Sequence, residues 1–158
     1  MNCLSDLLNT ERCLCRIRCA SKKRLFEAVA DVLARQQQAL RPAELVTGML
    51  AREKLGSTAL GEGIAIPHCR LSHCERPTGV LLSLCDALDF DAPDGEPVDL
   101  LFTLVVSPRA TQEHLHLLAE LAQLFSRAEF RQALRACRSS AALYSAAVNW
   151  SAGDARWT

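Results

Sequence analysis

The chain has 158 residues, 49% of them apolar and 23% charged, which suits one globular domain with a full core. Lys plus Arg and Asp plus Glu each number 18, so there is none of the basic excess that marks a nucleic-acid binder. No apolar run approaches the roughly 18 residues a membrane span needs. Residues 1–8 lack a basic start, and Asp6 and Glu11 interrupt any apolar stretch. No signal peptide is therefore expected, and a cytoplasmic location is. In that setting the eight cysteines read as free thiols.

The first predicted element is a short strand over residues 13–19, with Cys13, Cys15, Ile17 and Cys19 on one face. Ser21 then serves as an N-cap, and Leu25, Val29, Val32, Leu33 and Gln36 fall at helical spacing, giving a helix to about residue 38. The basic run Lys22-Lys23-Arg24 reads as a solvated helix start. Pro42 opens a second helix, striped by Leu45, Val46, Met49 and Leu50, which ends near Lys54 before Gly56. A strand is expected over 64–66 and another over 80–85, where Cys85 reads as a small core residue. Pro93 and Asp94-Gly95 mark a turn within 89–96. Residues 98–106 are largely apolar on both parities, as in a strand buried on both faces. A helix follows over about 112–125. The pattern Ser126-Arg127-Ala128-Glu129 predicts a capping box for the next helix, and Ser139 or Ser140 opens the last one. The fold class is α/β (α+β): one compact domain over 4–148, a mixed sheet flanked by helices on both sides. A loose tail is expected over 149–158, small and polar from Ser151 apart from Trp157.

The chemistry concentrates in Gly61-Glu62-Gly63-Ile64-Ala65-Ile66-Pro67-His68. A glycine-flanked turn, a short apolar strand and a proline present one imidazole at the strand end, and imidazole is a nucleophile near neutral pH without special deprotonation. Steps of about 100° per residue place His114 with Leu118, Leu121 and Phe125, and His116 on the wet face. His114 reads either as a half-buried, hydrogen-bonded residue or as a second imidazole aimed at His68 from a helix N-terminus that favours phosphate. Arg52 suits either the dipole at a helix C-terminus or a phosphoryl clamp, with the Ser57 and Thr58 hydroxyls in support. His68, Cys69, His73 and Cys74 form a rival cluster for a zinc-binding adaptor, although the spacing of its cysteines is barely compatible with structural zinc. Gly-x-Ser-x-Gly, Gly-x-Gly-x-x-Gly and Gly-x-x-x-x-Gly-Lys are all missing, so nothing local supports serine hydrolysis or a nucleotide site.

Arg52-Glu53-Lys54-Leu55-Gly56-Ser57-Thr58 followed by the run ending in Pro67-His68 resembles the signature of the enzyme IIA domain of the bacterial phosphotransferase system, mannitol/fructose type. Pro97-Val98-Asp99-Leu100-Leu101-Phe102 and His114-Leu115-His116-x-Leu118 resemble it further, and the likeness covers about 4–148. The lack of fused segments, the Leu4-x-x-Leu7-Leu8 run and Cys19-x-Ser21-Lys22-Lys23-Arg24 are similar to the nitrogen-regulatory branch. The resemblance implies a mixed sheet flanked by helices. It makes His68 the phosphorylated residue, reacting through Nε2, His114 the second active-site histidine and Arg52 the motif arginine. Ser57, Thr58, Gly61 and Gly63 become supports of the phosphate loop. It also implies no metal, nucleotide or other cofactor, and an HPr-like phosphocarrier as donor, charged from phosphoenolpyruvate. Downstream, it implies regulated proteins such as sensor kinases or potassium transport components. The alternative within the family is a sugar-uptake carrier passing phosphate to a separate IIB protein. Three positions depart from the family pattern: Cys69 follows the histidine where a small residue is usual, Glu62 stands where a neutral residue is common, and Ala59 replaces a common glycine.

Overall fold

The computed structural model describes residues 4–109 and 111–153, with side chains to residue 150. A short helix α1 (Leu4–Leu7) and a 3₁₀ turn (Thr10–Arg12) precede β1 (Cys13–Ile17). Helices α2 (Lys22–Gln36) and α3 (Pro42–Leu55) follow, then β2 (Ala59–Gly61), β3 (Ile64–Ala65), β4 (His68–Arg70), β5 (Thr78–Leu88) and β6 (Val98–Val106). The chain closes with α4 (Thr111–Phe125), α5 (Ala128–Ala136) and α6 (Ser140–Gly153). Ser21 caps α2 as expected, accepting from the Arg24 amide at 3.1 Å. Pro42 occupies the first turn of α3, and Gly56 ends it with φ 153°, a backbone region suited only to glycine.

The sheet runs β1-β5-β6-β3-β2, and β4 also pairs with β6. β5 and β6 are antiparallel, as are β2 and β3, while β1 runs parallel to β5 and both β3 and β4 run parallel to β6, so the sheet is mixed. Alternation along the central strands feeds two cores. Leu100, Phe102, Leu104 and Val106 face α1, α4, α5 and α6, whereas Val80, Leu82, Leu101 and Val105 face α2 and α3. Burial on both faces accounts for the largely apolar run of β6. Of its two polar residues, Asp99 pairs with Arg135 at 2.9 Å and Thr103 is satisfied by donating to the Val80 carbonyl at 3.1 Å.

Several local expectations change. Arg16 has φ 51° and the β1–β5 register shifts between Leu14 and Ile17, so β1 carries a bulge. Cys13 and Cys15 pack toward one core, while Ile17 and Cys19 turn to the other, breaking the single face read from alternation. Cys85 is exposed, not buried, because β5 outruns its partner β1 beyond Leu84; its thiol donates to the Arg16 carbonyl at 2.9 Å. Ser126 does not cap α5. Its hydroxyl donates back to the Gln123 carbonyl at the end of α4, and Arg127 holds the N-cap position without capping α5 through its side chain. Ser139 rather than Ser140 caps α6, accepting from the Ala142 amide at 3.1 Å. α6 continues through Asn149 and Trp150 to Gly153, so the first residues of the expected tail are helical. Residues 154–158, including Trp157, lie outside the described residues.

Candidate active site

β3 and β4 are two pieces of one extended run along β6. Ile64 lies opposite Leu100 and His68 opposite Leu104, in one common register. The run breaks at Ile66-Pro67 because proline has no N–H to give the ladder. The Pro67 carbonyl still accepts from the Leu104 amide at 2.9 Å, which holds the proline against β6 and fixes where β4 begins. His68 therefore sits at the start of β4 with its side chain half-buried.

Its imidazole is held at both nitrogens. Nδ1 lies 2.9 Å from the Ile66 carbonyl oxygen, an acceptor only, so the proton belongs on Nδ1. Nε2 is then the basic nitrogen, and it accepts from Arg52 Nε at 3.2 Å. Arg52 stands in the last turn of α3, where its Nη1 also donates to the Gly56 carbonyl at 2.8 Å. Burial pushes the His68 pKa below its ordinary value of 6.5, and the charges of Arg52 and Arg70 push the same way. The Ile66 hydrogen bond and Glu53 oppose that shift without reversing it. The ring is thus neutral at pH 7, with its Nε2 lone pair available.

His114 meets His68 edge to face, with ring centroids 5.1 Å apart. It lies in the first turn of α4, is only 6% exposed, and neither ring nitrogen has a hydrogen-bond partner among the described residues. Burial lowers its pKa, aided by the positive forms of His68, Arg70 and Arg52. His116 is exposed, as the helical wheel requires. An open pocket gathers these groups, lined by Arg52, Leu55, His68, Cys69, Arg70 and His114, with the small residues Gly48 and Ala51 of α3 at its side. Leu55 (85% exposed) and Leu115 (62% exposed, next to His114) are large apolar side chains turned to solvent.

The structure thus brings together His68, His114 and Arg52. Ser57, Thr58, Gly61 and Gly63 are not among the residues lining this pocket, and their groups are engaged elsewhere. The Ser57 hydroxyl donates to the Phe90 carbonyl and accepts from the Ala59 amide. The Thr58 hydroxyl donates to Glu53, whose carboxylate is 5% exposed with Lys22 at 4.0 Å. The Gly61–Gly63 turn caps the far end of the β3–β4 run. Five extended steps along the chain, roughly 16 Å, separate Gly63 from His68. There Gly63, at φ +77°, leaves space for Arg135, which donates to the Glu62 carbonyl at 2.6 Å and pairs with Asp99 at 2.9 Å. Glu62 is exposed and 3.9 Å from Arg131, so its charge does not face the imidazoles. Cys69 points the other way from His68, against Gly48 of α3, and burial pushes its thiol up to about 12. No group of three or more His, Cys, Asp or Glu among the described residues is placed to hold a metal ion.

Three residues at or beside the pocket were not singled out from sequence. Arg70 was legible only as the i+2 neighbour of His68 on a strand. Leu55 and Leu115 read as ordinary helix positions until their exposure was known.

With that geometry in place, the comparisons with known proteins are decisive. The family described as "Phosphoenolpyruvate-dependent sugar phosphotransferase system, EIIA 2" matches residues 6–148. The chain belongs to this family. It is a phosphoryl-transfer component of that system, and its fold is the family's. The "Nitrogen regulatory protein" of Pseudomonas aeruginosa is 45% identical over 146 residues, covering 92% of this chain and 95% of that one. The protein of the same name from Escherichia coli is 42% identical over 142 residues, covering 89% and 86%. The crystal structure of nitrogen regulatory protein IIA-Ntr from Neisseria meningitidis superposes with a TM-score of 0.84 at 38% identity, covering 90% of this chain and 97% of that one. IIA mannitol from Escherichia coli shares the fold, with a TM-score of 0.72 at 21% identity and coverage of 88% and 97%. Within the family, the likeness is to the nitrogen-regulatory members. Among the described residues no helix is long and apolar enough to cross a membrane.

Proposed function

We propose that this protein is a cytoplasmic phosphohistidine carrier with a nitrogen-linked regulatory role. His68 accepts the phosphoryl group from an HPr-like donor, and the charged state is passed on or read by other proteins. The observation that carries this reading is the fixed tautomer of His68. Nδ1–H is committed to the Ile66 carbonyl, and Nε2 opens on a pocket holding a guanidinium and a second imidazole. The Nε2 lone pair forms the new N–P bond as the donor's N–P bond breaks and returns its electron pair to the donor imidazole. No proton has to leave Nε2 first. Arg52 then turns its donors from the ring nitrogen to the phosphoryl oxygens, and a ring N–H of His114 supplies another. Each molecule carries one group, so the protein acts stoichiometrically. Leu55 and Leu115 give a carrier protein apolar surface to dock on around the reacting atom.

The regulatory role is supported by the names of the relatives at 45% and 42% identity, which favour it over sugar uptake through a separate IIB protein. Sensor kinases and potassium transport components are the proposed class of target. About two added negative charges on this apolar face would exclude some of them and attract arginine-bearing ones. The test is phosphorylation by phosphoenolpyruvate, enzyme I and an HPr-like carrier, followed by intact mass. One acid-labile phosphoryl adduct is expected, and none in His68→Ala. An adduct that persists in that variant would move the acceptor elsewhere.

A further inference from the structure

We propose that Arg70 is a second phosphoryl-binding cation of this site, contacting the group on His68 and setting how readily it is loaded. The proposal rests on the phosphocarrier reading above and adds a residue to it. His68 and Arg70 are two apart on β4, so their side chains leave the same face of the strand, while Cys69 between them is buried against α3. Both line the pocket that holds His114 and Arg52. The Arg70 charge reaches both imidazoles, acting on each in the direction that keeps it neutral.

Arg70 is exposed, and no hydrogen bond or ion pair holds its guanidinium among the described residues. Arg52, by contrast, has donors committed to Nε2 and to the Gly56 carbonyl. A phosphoryl group on Nε2 removes that nitrogen as an acceptor and brings three acceptor oxygens with nearly two negative charges. A planar guanidinium pairs with two oxygens at a time. Each oxygen accepts more than one hydrogen bond, so Arg52 and a ring N–H of His114 together leave acceptor capacity for another donor, and Arg70 is a cation on the same strand face as His68. Glu53 is the nearest carboxylate in the sequence around Arg52, and it is occupied by Thr58 and Lys22, so it does not draw Arg70 away.

The test compares the parent with Arg70→Gln and Arg70→Lys. Each is loaded with phosphoramidate, a small donor that needs no docking surface, and separately with the phosphoenolpyruvate, enzyme I and HPr-like chain. Loading rate is read by intact mass, and the ionisation of the bound phosphoryl group by ³¹P NMR titration. Arg70→Gln should slow loading by roughly tenfold with both donors, less than for an enclosed oxyanion donor because water competes at an exposed side chain. Its ³¹P titration should move to higher pH, since a lost cation favours the protonated phosphate. Arg70→Lys should restore most of both effects, which a purely structural role would not predict. Slowing with the protein donor alone, with the ³¹P titration unmoved, would make Arg70 a docking contact and overturn the proposal. If the parent is loaded and Arg70→Gln matches it in rate and titration, this proposal alone fails. A parent that takes no phosphoryl group from either donor brings down the phosphocarrier reading and this one with it.

Discussion

Reactivity at His68 depends on which nitrogen is bare and on whether the ring is neutral. The Ile66 carbonyl settles the first point, and burial reinforced by two guanidinium charges settles the second. Since the folded pKa lies below 6.5, the reactive neutral form persists to more acid pH than in a free histidine. The rate of loading from phosphoramidate should therefore fall on the acid side with a midpoint below 6.5; a midpoint at or above that value would contradict the direction of the shift. Arg52 bridges Nε2 and the Gly56 carbonyl with two nitrogens of one planar group, a geometry lysine cannot copy. Arg52→Lys is expected to cut initial loading rates by roughly 10- to 100-fold despite the retained charge. Initial rates within twofold of the parent would show that the fork is not used. Cys69 follows His68 in sequence yet is buried with its thiol raised, so alkylating agents at pH 7 should leave it largely unlabelled in the folded protein.

At the scale of elements, the site depends on a strand that β6 holds at both ends while a proline interrupts it. β6 depends in turn on close packing against β5. Gly79 of β5 leaves room for the ring of Phe102: a Cβ there would stand 2.6 Å from Phe102 Cε1, and that ring is fully buried. Gly79→Ala should lower stability by about 1–3 kcal/mol, read as a lower urea midpoint at unchanged slope. A midpoint equal to the parent's would mean the ring moves aside at no cost. The elements with strong periodicity or strong caps were legible in the sequence: α2 from Ser21, α3 from Pro42, β6 from its two-sided apolar run. What periodicity missed was set by pairing. β2 and β4 are three residues each, too short to show a pattern, and exist because β3 and β6 offer hydrogen-bonding edges. The bulge at Arg16 reverses the inward face of β1 with no glycine to announce it. At the site, His68 and His114 were legible from motif and helical phase. The engagement of Ser57, Thr58, Gly61 and Gly63 was not: the β3–β4 run carries the Gly61–Gly63 turn away from His68, while the Ser57 and Thr58 hydroxyls are taken by the Phe90 carbonyl and Glu53.

Over the whole molecule, the site forms where the two helical layers reach one sheet end: α3 brings Arg52 from one core and α4 brings His114 from the other, with β4 between them. Neutral imidazoles are buried at that junction, and buried thiols lie deeper in both cores, so stability should respond to pH on two sides. His68 and His114 have folded pKa values below 6.5. Between 6.5 and those values the unfolded chain binds more protons than the folded one, so stability must fall as pH drops. Cys13 and Cys69 are held near 12 against an ordinary 9.0. Above 9.0 the unfolded thiols ionise first, and stability must fall as pH rises. The urea midpoint should therefore be highest between about 6.5 and 9.0 and decline on either side. Replacing Cys13 and Cys69 with alanine should flatten the alkaline decline while leaving the acid one in place. Replacing His114 with glutamine should weaken only the acid one. An acid decline unchanged by the glutamine variant would mean that His114 is not a source of the acid response of the fold.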